Sequence, residues 1–273
     1  MSDDHHKNGD VEMSFWDHLE ALRHTLMRSI IAIVVLSVVA FFFKDFLYNQ
    51  VILGPKNADF ISNKWFCMLG HMLNTDSLCI NQGDFPIANF ELTGQFRNHM
   101  LITFVTGLII AMPYILTELW LFIRPALTPK ERKGARGFVL VTNFLFFTGV
   151  AFGYLIIVPM AINFFTTYVL SKDIEDIIRL GSYIRSVVMI PLSTGVVFEL
   201  PVIIYFLTKI GIVSYSGLKT YRKHAFVGAF VASAILTPPD PISQLLVALP
   251  LILLYSVSLT IAKKVEKSKV KDL

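Results

Sequence analysis

The chain has 273 residues, 54% hydrophobic and 16% charged, with a mean hydropathy of +0.61. A soluble domain of this length would be far more polar, so the composition predicts a polytopic membrane protein. The formal charge of only +4 argues against a nucleic-acid partner.

The chain opens with a polar stretch, residues 1–14, that we expect to be a disordered tail. Residues 15–24 then predict a short amphipathic helix, because Leu19, Leu22 and Leu26 share the i, i+3, i+7 spacing of one helix face. This lead-in is expected to lie at the cytoplasmic surface and to run directly into the first membrane span.

Six apolar stretches are candidate membrane helices, and a bilayer core of about 30 Å needs roughly 20 helical residues. The fifth is shorter than this, and by itself it would suggest a re-entrant or buried segment. The predicted spans are residues 25–43, 99–121, 138–162, 186–208, 225–237 and 242–262.

The positions of the basic residues favour six crossings and both termini in the cytoplasm. With six spans, 17 of the 24 Lys and Arg residues fall on one side, including the basic tail 263–273, and 7 fall on the other. The positive-inside rule assigns the richer side to the cytoplasm. Five spans would divide the basic loops between the two sides.

The largest predicted loop, residues 44–98, lies on the side assigned to the exterior and carries both cysteines, Cys67 and Cys79. Disulfides persist in such compartments, so we expect the two to be bridged. Two free, buried thiols are the alternative.

An acid stands in the middle of the fourth predicted span, in VVFELPVII, residues 196–204. Glu199 costs about 2.5–3.5 kcal/mol on insertion scales at the bilayer centre. Because Pro201 and Pro191 weaken the helix ladder nearby, we predict a local polar notch; an ion pair within the chain is the alternative. Glu118, near the cytoplasmic boundary of the second span, is expected to reach water.

Other polar or small residues can be explained by local structure before a function is considered. Glu20 can pair with Arg23 or His24 along one helix. Glu131 is predicted to complete a capping box whose N-cap is Thr128. The GVAFG motif, residues 149–153, allows close packing of two helices.

In TPPDPISQ, residues 237–244, Asp240 is predicted to cap a helix that begins at Pro241. Gln244 then lies one turn inside the last span, where its amide either bonds within the chain or meets another helix.

Several separated motifs, in order, resemble the TatC family, the receptor subunit of the twin-arginine protein translocase. They cover the chain from Phe15 to about Ala262, and the last two are the most specific. The motifs are HLEALR, FIRPALTPKER, GVAFGYLIIVP, GVVFELPV and AILTPPDPISQLLVALPLILLY.

The resemblance implies an all-α protein with six transmembrane helices, cytoplasmic termini and a cupped, concave bundle. It also implies a receptor in the bacterial cytoplasmic membrane for twin-arginine signal peptides of folded cargo. TatA/TatB-type single-span partners, self-association in a receptor complex and use of the proton-motive force follow from the same resemblance, with no cofactor or metal.

Residue by residue, Glu131 matches the loop glutamate that contacts the signal's arginine pair in the family, with Arg132 beside it. The family's other acid lies in an HLxELR motif. Here that position is Ala21, and the acid stands one residue earlier at Glu20, near Arg23. One residue is about 100° of helix rotation, so either Glu20 substitutes from a neighbouring direction or this chain relies more on Glu131.

Further positions match family sites within or beside the membrane. Glu199 matches an intramembrane glutamate on the concave face, and Pro55 matches a proline of the first external loop. At Ser256 many relatives carry a glutamate instead. A polar region for docking of partner helices is matched by Thr237, Asp240 and Gln244.

Two other function classes compete with this interpretation. A proton-coupled small-molecule transporter could use Glu199 as its proton site, but the two halves of the chain lack the internal symmetry typical of transporters. A membrane enzyme would need a nucleophile or a metal cluster at depth, and no such motif is present in the sequence.

Overall fold

The computed structural model describes residues 15–72, 74–75, 79–81, 85–123, 135–168, 171, 177–237 and 241–272. Within these residues the all-α prediction is confirmed, and the only strands form a two-residue parallel pair, β1 (Ile87–Ala88) with β2 (Ile178–Arg179). The helices are α1 (Phe15–Phe42), α2 (Lys44–Phe46), α3 (Ile61–Met72), α4 (Gly94–Ile123), α5 (Ala135–Phe152), α6 (Val158–Thr167), α7 (Leu180–Phe198), α8 (Leu200–Ile210), α9 (Tyr215–Thr220), α10 (Arg222–Leu236) and α11 (Pro241–Asp272).

Five helical stretches of the described residues are long and apolar enough to cross a membrane. The helix α10, with 15 residues, is too short to join them by length alone. The predicted fifth span therefore forms this shorter helix. The five stretches are Leu19–Phe42, Gly94–Ile123, Gly137–Thr167, Leu180–Ile210 and Gln244–Lys267.

The predicted lead-in and the first span form one continuous helix, α1, which packs mainly on α4. Their backbones meet closely at Gly107, where a Cβ would lie 2.6–2.7 Å from backbone atoms of Ser37. The leucine stripe of the lead-in stays exposed, with Leu26 58% accessible. In a membrane protein such uncovered apolar surface is available to lipid or to another helix.

The GVAFG motif lies where α5 meets α7, and its predicted packing role is confirmed. A Cβ on Gly149 would come within 2.8 Å of Phe198 and of the Thr194 carbonyl oxygen, and one on Gly153 within 2.7 Å of the Pro191 Cα. From Gly153 the helix widens into a π-helical turn, Gly153–Ile157, before α6 begins. The glycines therefore set the distance between α5 and α7.

A buried amide network braces the first inter-span loop, residues 43–93, against the bundle. Asn63, fully buried, donates from Nδ2 to the Pro55 carbonyl at 3.2 Å. Asn81 donates from Nδ2 to the Pro159 carbonyl at 3.1 Å, and its backbone N–H donates to Asn163 Oδ1 at 3.1 Å. Pro55 is buried in a 3₁₀ turn at the centre of this network.

A disulfide joins Cys67 to Cys79 in the same loop. It links the helix that carries Asn63 to the segment that carries Asn81, two residues beyond Cys79. The covalent bond and the amide network therefore hold the same two segments together.

The last helix begins at Pro241, as predicted, but continues to Asp272 instead of ending near Ala262. Lys and Glu are good helix formers, so the basic tail extends the helix. Glu266 also anchors it, because its Oε1 accepts the Tyr215 backbone N–H at 2.6 Å.

Candidate functional site

The first candidate region lies where the beginning of α1 meets the end of α4. We call it the Glu118 end of the bundle, and the opposite end, which carries the disulfide, the Cys67 end. Glu20 and Arg23 are both exposed there. Glu20 Oε1 lies 3.8 Å from His24 Nε2, and both side chains are about two-thirds exposed or more, at 71% and 66%. Such an exposed pair contributes little stability, so the Glu20 carboxylate remains available to a ligand.

Glu118 is the unexpected member of this region. It is only 7% exposed, so the prediction that it reaches water is wrong. Its Oε2 lies 3.7 Å from Arg28 Nη1, and Tyr114, one turn earlier, hydrogen-bonds to it. The sequence does contain the signal for this contact: opposite charges at matching ends of two consecutive, antiparallel spans.

Glu131, Arg132 and the predicted capping box lie in residues 124–134, outside the described residues. Their anchor points are described, however. The loop leaves α4 at Ile123, five residues or about 8 Å of helix beyond Glu118, and returns at Ala135. The described residues on either side of Glu131, Ile123 and Ala135, therefore lie at the Glu118 end of the bundle.

The second candidate region is the break between α7 and α8 at Glu199. The helix ends at Phe198 and restarts at Leu200, a stronger interruption than the weakened ladder that the sequence predicts. The Glu199 N–H donates to the Val196 carbonyl at 3.1 Å, a shortened i−3 bond. Pro201, in the first turn of α8, cannot supply an N–H and explains the interruption.

The Glu199 side chain is 7% exposed, and among the described residues neither carboxylate oxygen has a hydrogen-bond partner. Nor is there an ion pair to it within that part of the chain, so the alternative of an intrachain pair finds no support there. Next to it, Phe198 packs against Val247, Leu251 and Leu254 of α11. The acid thus lies at an apolar junction of three helical stretches.

The third candidate region is the turn between α10 and α11. Thr237 is buried and its Oγ1 donates to the Ser233 carbonyl at 2.7 Å. Gln244, partly exposed, donates from Nε2 to the Phe230 carbonyl at 3.3 Å, so its amide nitrogen bonds within the chain. Asp240, the predicted cap, lies outside the described residues.

Among the residues that the structure describes, one group has the side chains of a metal site. The ligand atoms of Cys67, His71 and Cys79 lie within 4.8 Å of one another. Both sulfurs are committed to the disulfide, however, so they are not thiolates that could bind a metal.

Comparison with known proteins shows which family this chain resembles in sequence. Residues 17–250 match the family described as Sec-independent protein translocase protein (TatC). The TatC protein of Blattabacterium from Periplaneta americana is 38% identical over 265 residues, covering 96% of this chain and all of the relative. TatCy of Bacillus subtilis is 30% identical, covering 96% of this chain and 94% of the relative.

A solved structure gives the same result for the fold. A crystal structure of the twin-arginine translocase receptor TatC superposes with a TM-score of 0.68 at 29% sequence identity. The match covers 91% of this chain and 99% of that one. From its sequence and its fold alike, the chain belongs to the TatC family of membrane-spanning protein translocase components.

Proposed function

We propose that this protein is the signal-peptide receptor and core subunit of a twin-arginine translocase. It would bind the twin-arginine signal peptide of a folded cargo protein. TatA/TatB-type single-span partners would then join it, and the proton-motive force would drive export across the bacterial cytoplasmic membrane. The observation that carries the proposal is the full-length similarity in fold and sequence to TatC receptors.

The TatC family consists of translocase components, not enzymes, and the comparisons give no support to the small-molecule transporter as an alternative. Glu199, which suggested a proton site, is buried and has no partner among the described residues, and this is compatible with the translocase role described below.

The proposed topology has six crossings with both termini in the cytoplasm. The helix α10 would be the fifth of these crossings, although its 15 residues span only about 22 Å. This length is shorter than a bilayer core of about 30 Å. Either the bilayer thins locally around α10, or the helix lies in a cupped bundle beside a depression in the membrane surface. The distribution of Lys and Arg supports this arrangement over one with five crossings.

The Glu118 end is proposed as the signal-peptide site. Glu131 is the principal acid, because a guanidinium binds a carboxylate bidentately and is always charged. Glu20 is the second acid, and its 71% exposed side chain supports the assignment. Arg23 and Arg132 would flank the two acids and limit binding to peptides whose arginines reach the carboxylates.

Glu199 is proposed to keep a hydrated or thinned patch within the bilayer and to bond a partner helix during transport. Its two oxygens, unpaired among the described residues, support this role. Partner helices would dock at the α10–α11 turn, on Thr237, Asp240 and Gln244. Because Ser256 stands where many relatives carry a glutamate, the docking surface along α11 is less polar here. Self-association in a receptor complex completes the proposal.

Binding of a labelled signal peptide to the purified protein in detergent tests the receptor role. A twin-arginine peptide is compared with a twin-lysine version of the same length, against wild type, Glu131→Gln and Glu20→Gln. We expect arginine-selective binding that weakens at least tenfold in Glu131→Gln, since a charge-assisted bidentate pair is lost. The Glu20→Gln variant measures how much the shifted acid contributes.

Asp59→Asn is the matched control, because Asp59 is an exposed acid at the Cys67 end, paired with Lys64 at 2.9 Å. It removes the same charge and should leave the affinity within twofold. Equal, weak binding of both peptides to wild type would contradict the receptor proposal.

A further inference from the structure

An open cavity of about 730 Å³ lies at the Cys67 end, between the beginnings of α4 and α7. Three arginines line it: Arg97 in the first turn of α4, Arg179 directly before α7, and Arg185 in its second turn. Under the six-span topology these are all of the arginines on the side opposite the cytoplasm, where the other basic residues are lysines. Since the positive-inside rule disfavours bases there, their convergence on one cavity needs an explanation.

The cavity retains net positive charge in the described part of the chain. One carboxylate lines it, that of Glu91, whose Oε2 lies 2.7 Å from Arg97 Nη1. Arg179 and Arg185 are exposed, and neither has a carboxylate partner among the described residues. Within the described residues, two guanidinium groups at this cavity are thus without a carboxylate partner.

The beginning of α7 adds backbone donors to the same cavity. This 19-residue helix has Arg179 at its N-cap, which makes no side-chain capping bond, so the N–H groups of the first turn are not capped by it. Gly181 lies in that turn and lines the cavity. An added Cβ there would lie 3.6 Å from Arg97 Nη2 and 3.6–3.7 Å from the Asn98 amide.

Asn98 is a second, independent observation that points to a ligand at this cavity. It lines the cavity and is only 4% exposed, yet its Nδ2 group has no acceptor among the described residues. A buried donor without a partner costs about 1–3 kcal/mol and is rare in native proteins. Guanidinium groups, helix N–H groups and this amide are all donors, a combination that favours an anion with several oxygens.

We propose that this cavity binds a phosphate-bearing anion, namely the phosphodiester of an anionic phospholipid headgroup. Two membrane helices begin at the cavity, so it lies at the level where headgroups are found. Apolar side chains adjoin the arginines, among them Leu101 and the 64% exposed Phe90, which suit glycerol and the first acyl carbons. The site requires that α4 and α7 span the membrane, but it does not depend on the receptor function.

Native mass spectrometry of the purified protein in a non-ionic detergent tests the site. Phosphatidylglycerol is titrated against zwitterionic phosphatidylcholine, each with and without millimolar inorganic phosphate. The variant is Arg179→Gln with Arg185→Gln, and the matched control is Lys44→Gln with Lys64→Gln, which removes the same charge from the same end outside the cavity. Melting temperatures without lipid identify any loss of folding.

We expect the affinity for phosphatidylglycerol to fall about fivefold for each arginine removed, hence about 25-fold for the double variant. The control should stay within twofold. Phosphatidylcholine, whose phosphodiester charge is compensated by its choline cation, should bind more weakly than phosphatidylglycerol and lose less affinity in the double variant. If the double variant does not purify in a folded state, Arg185→Gln alone carries the test, with a fivefold loss expected. Undiminished phosphatidylglycerol binding would overturn the proposal. Displacement of the lipid by inorganic phosphate would overturn the lipid assignment in favour of a free phosphate.

Discussion

Two buried glutamates in this protein, Glu118 and Glu199, have the same exposure of 7% but opposite surroundings. Glu118 faces the Arg28 guanidinium and receives a hydrogen bond from Tyr114. Glu199 lies at a helix break with neither oxygen paired in the described chain. The Glu118 carboxylate therefore stabilises the contact of α1 with α4. The fold does not need the Glu199 carboxylate, so only Glu199 requires a functional reason.

The largest expected effect is on transport. Glu199→Ala should abolish export of a folded reporter with a twin-arginine signal, because the proposed intramembrane polar site is lost. Stability should be unchanged or higher, since an unpaired buried acid is removed. Export from cells that depend on the variant, together with its melting temperature, measures both. Unimpaired export would remove Glu199 from the mechanism.

A change remote from both acids distinguishes a loss of stability from a loss of function. Replacing Cys67 and Cys79 together by serine should lower the free energy of unfolding by about 3 kcal/mol, the value expected for a loop of similar length. Denaturant unfolding with and without reductant measures it, and wild type with reductant should match the variant. Export should persist wherever the variant remains folded; a complete loss would mean that the first inter-span loop itself takes part in transport.

The two members of the Glu118–Arg28 pair should differ in how much stability is lost when each is replaced. Arg28→Gln leaves the carboxylate of Glu118 buried without its charge partner, so we expect a cost of about 2 kcal/mol in the free energy of unfolding. Thermal or denaturant unfolding of the purified variant measures it. A cost below that of Glu118→Gln would contradict the assignment of Glu118 as a buried, partner-dependent group.

The reciprocal change should have the smallest effect. In Glu118→Gln the Arg28 side chain, 63% exposed, can turn to water, and the amide can still accept a hydrogen bond from Tyr114. We therefore expect less than about 1 kcal/mol of destabilisation. The same unfolding assay applies, and signal-peptide affinity should stay within twofold because the Glu118 side chain is buried and already paired with Arg28.

The sequence predicts the helices more completely than the environment of the acids. Apolar runs and prolines predict where the helices lie and that α11 starts at Pro241, because both effects are local. The pairing of Arg28 with Glu118 depends on how two spans align, which no local pattern contains. Likewise Pro201 predicts a disturbance near Glu199, but the one-residue interruption seen there depends on how α7 and α8 pack against α5 and α11.

Two regions of the protein are thus expected to have separate roles. The Glu118 end binds the signal peptide, and the Glu199 break serves transport. The most direct test of this separation is the affinity of one twin-arginine peptide for wild type, Glu199→Ala and Glu131→Gln, measured in the same detergent preparation. We predict wild-type affinity, within twofold, for Glu199→Ala and at least a tenfold loss for Glu131→Gln. A loss of the same size in Glu199→Ala would contradict the account, because both acids would then belong to one binding site.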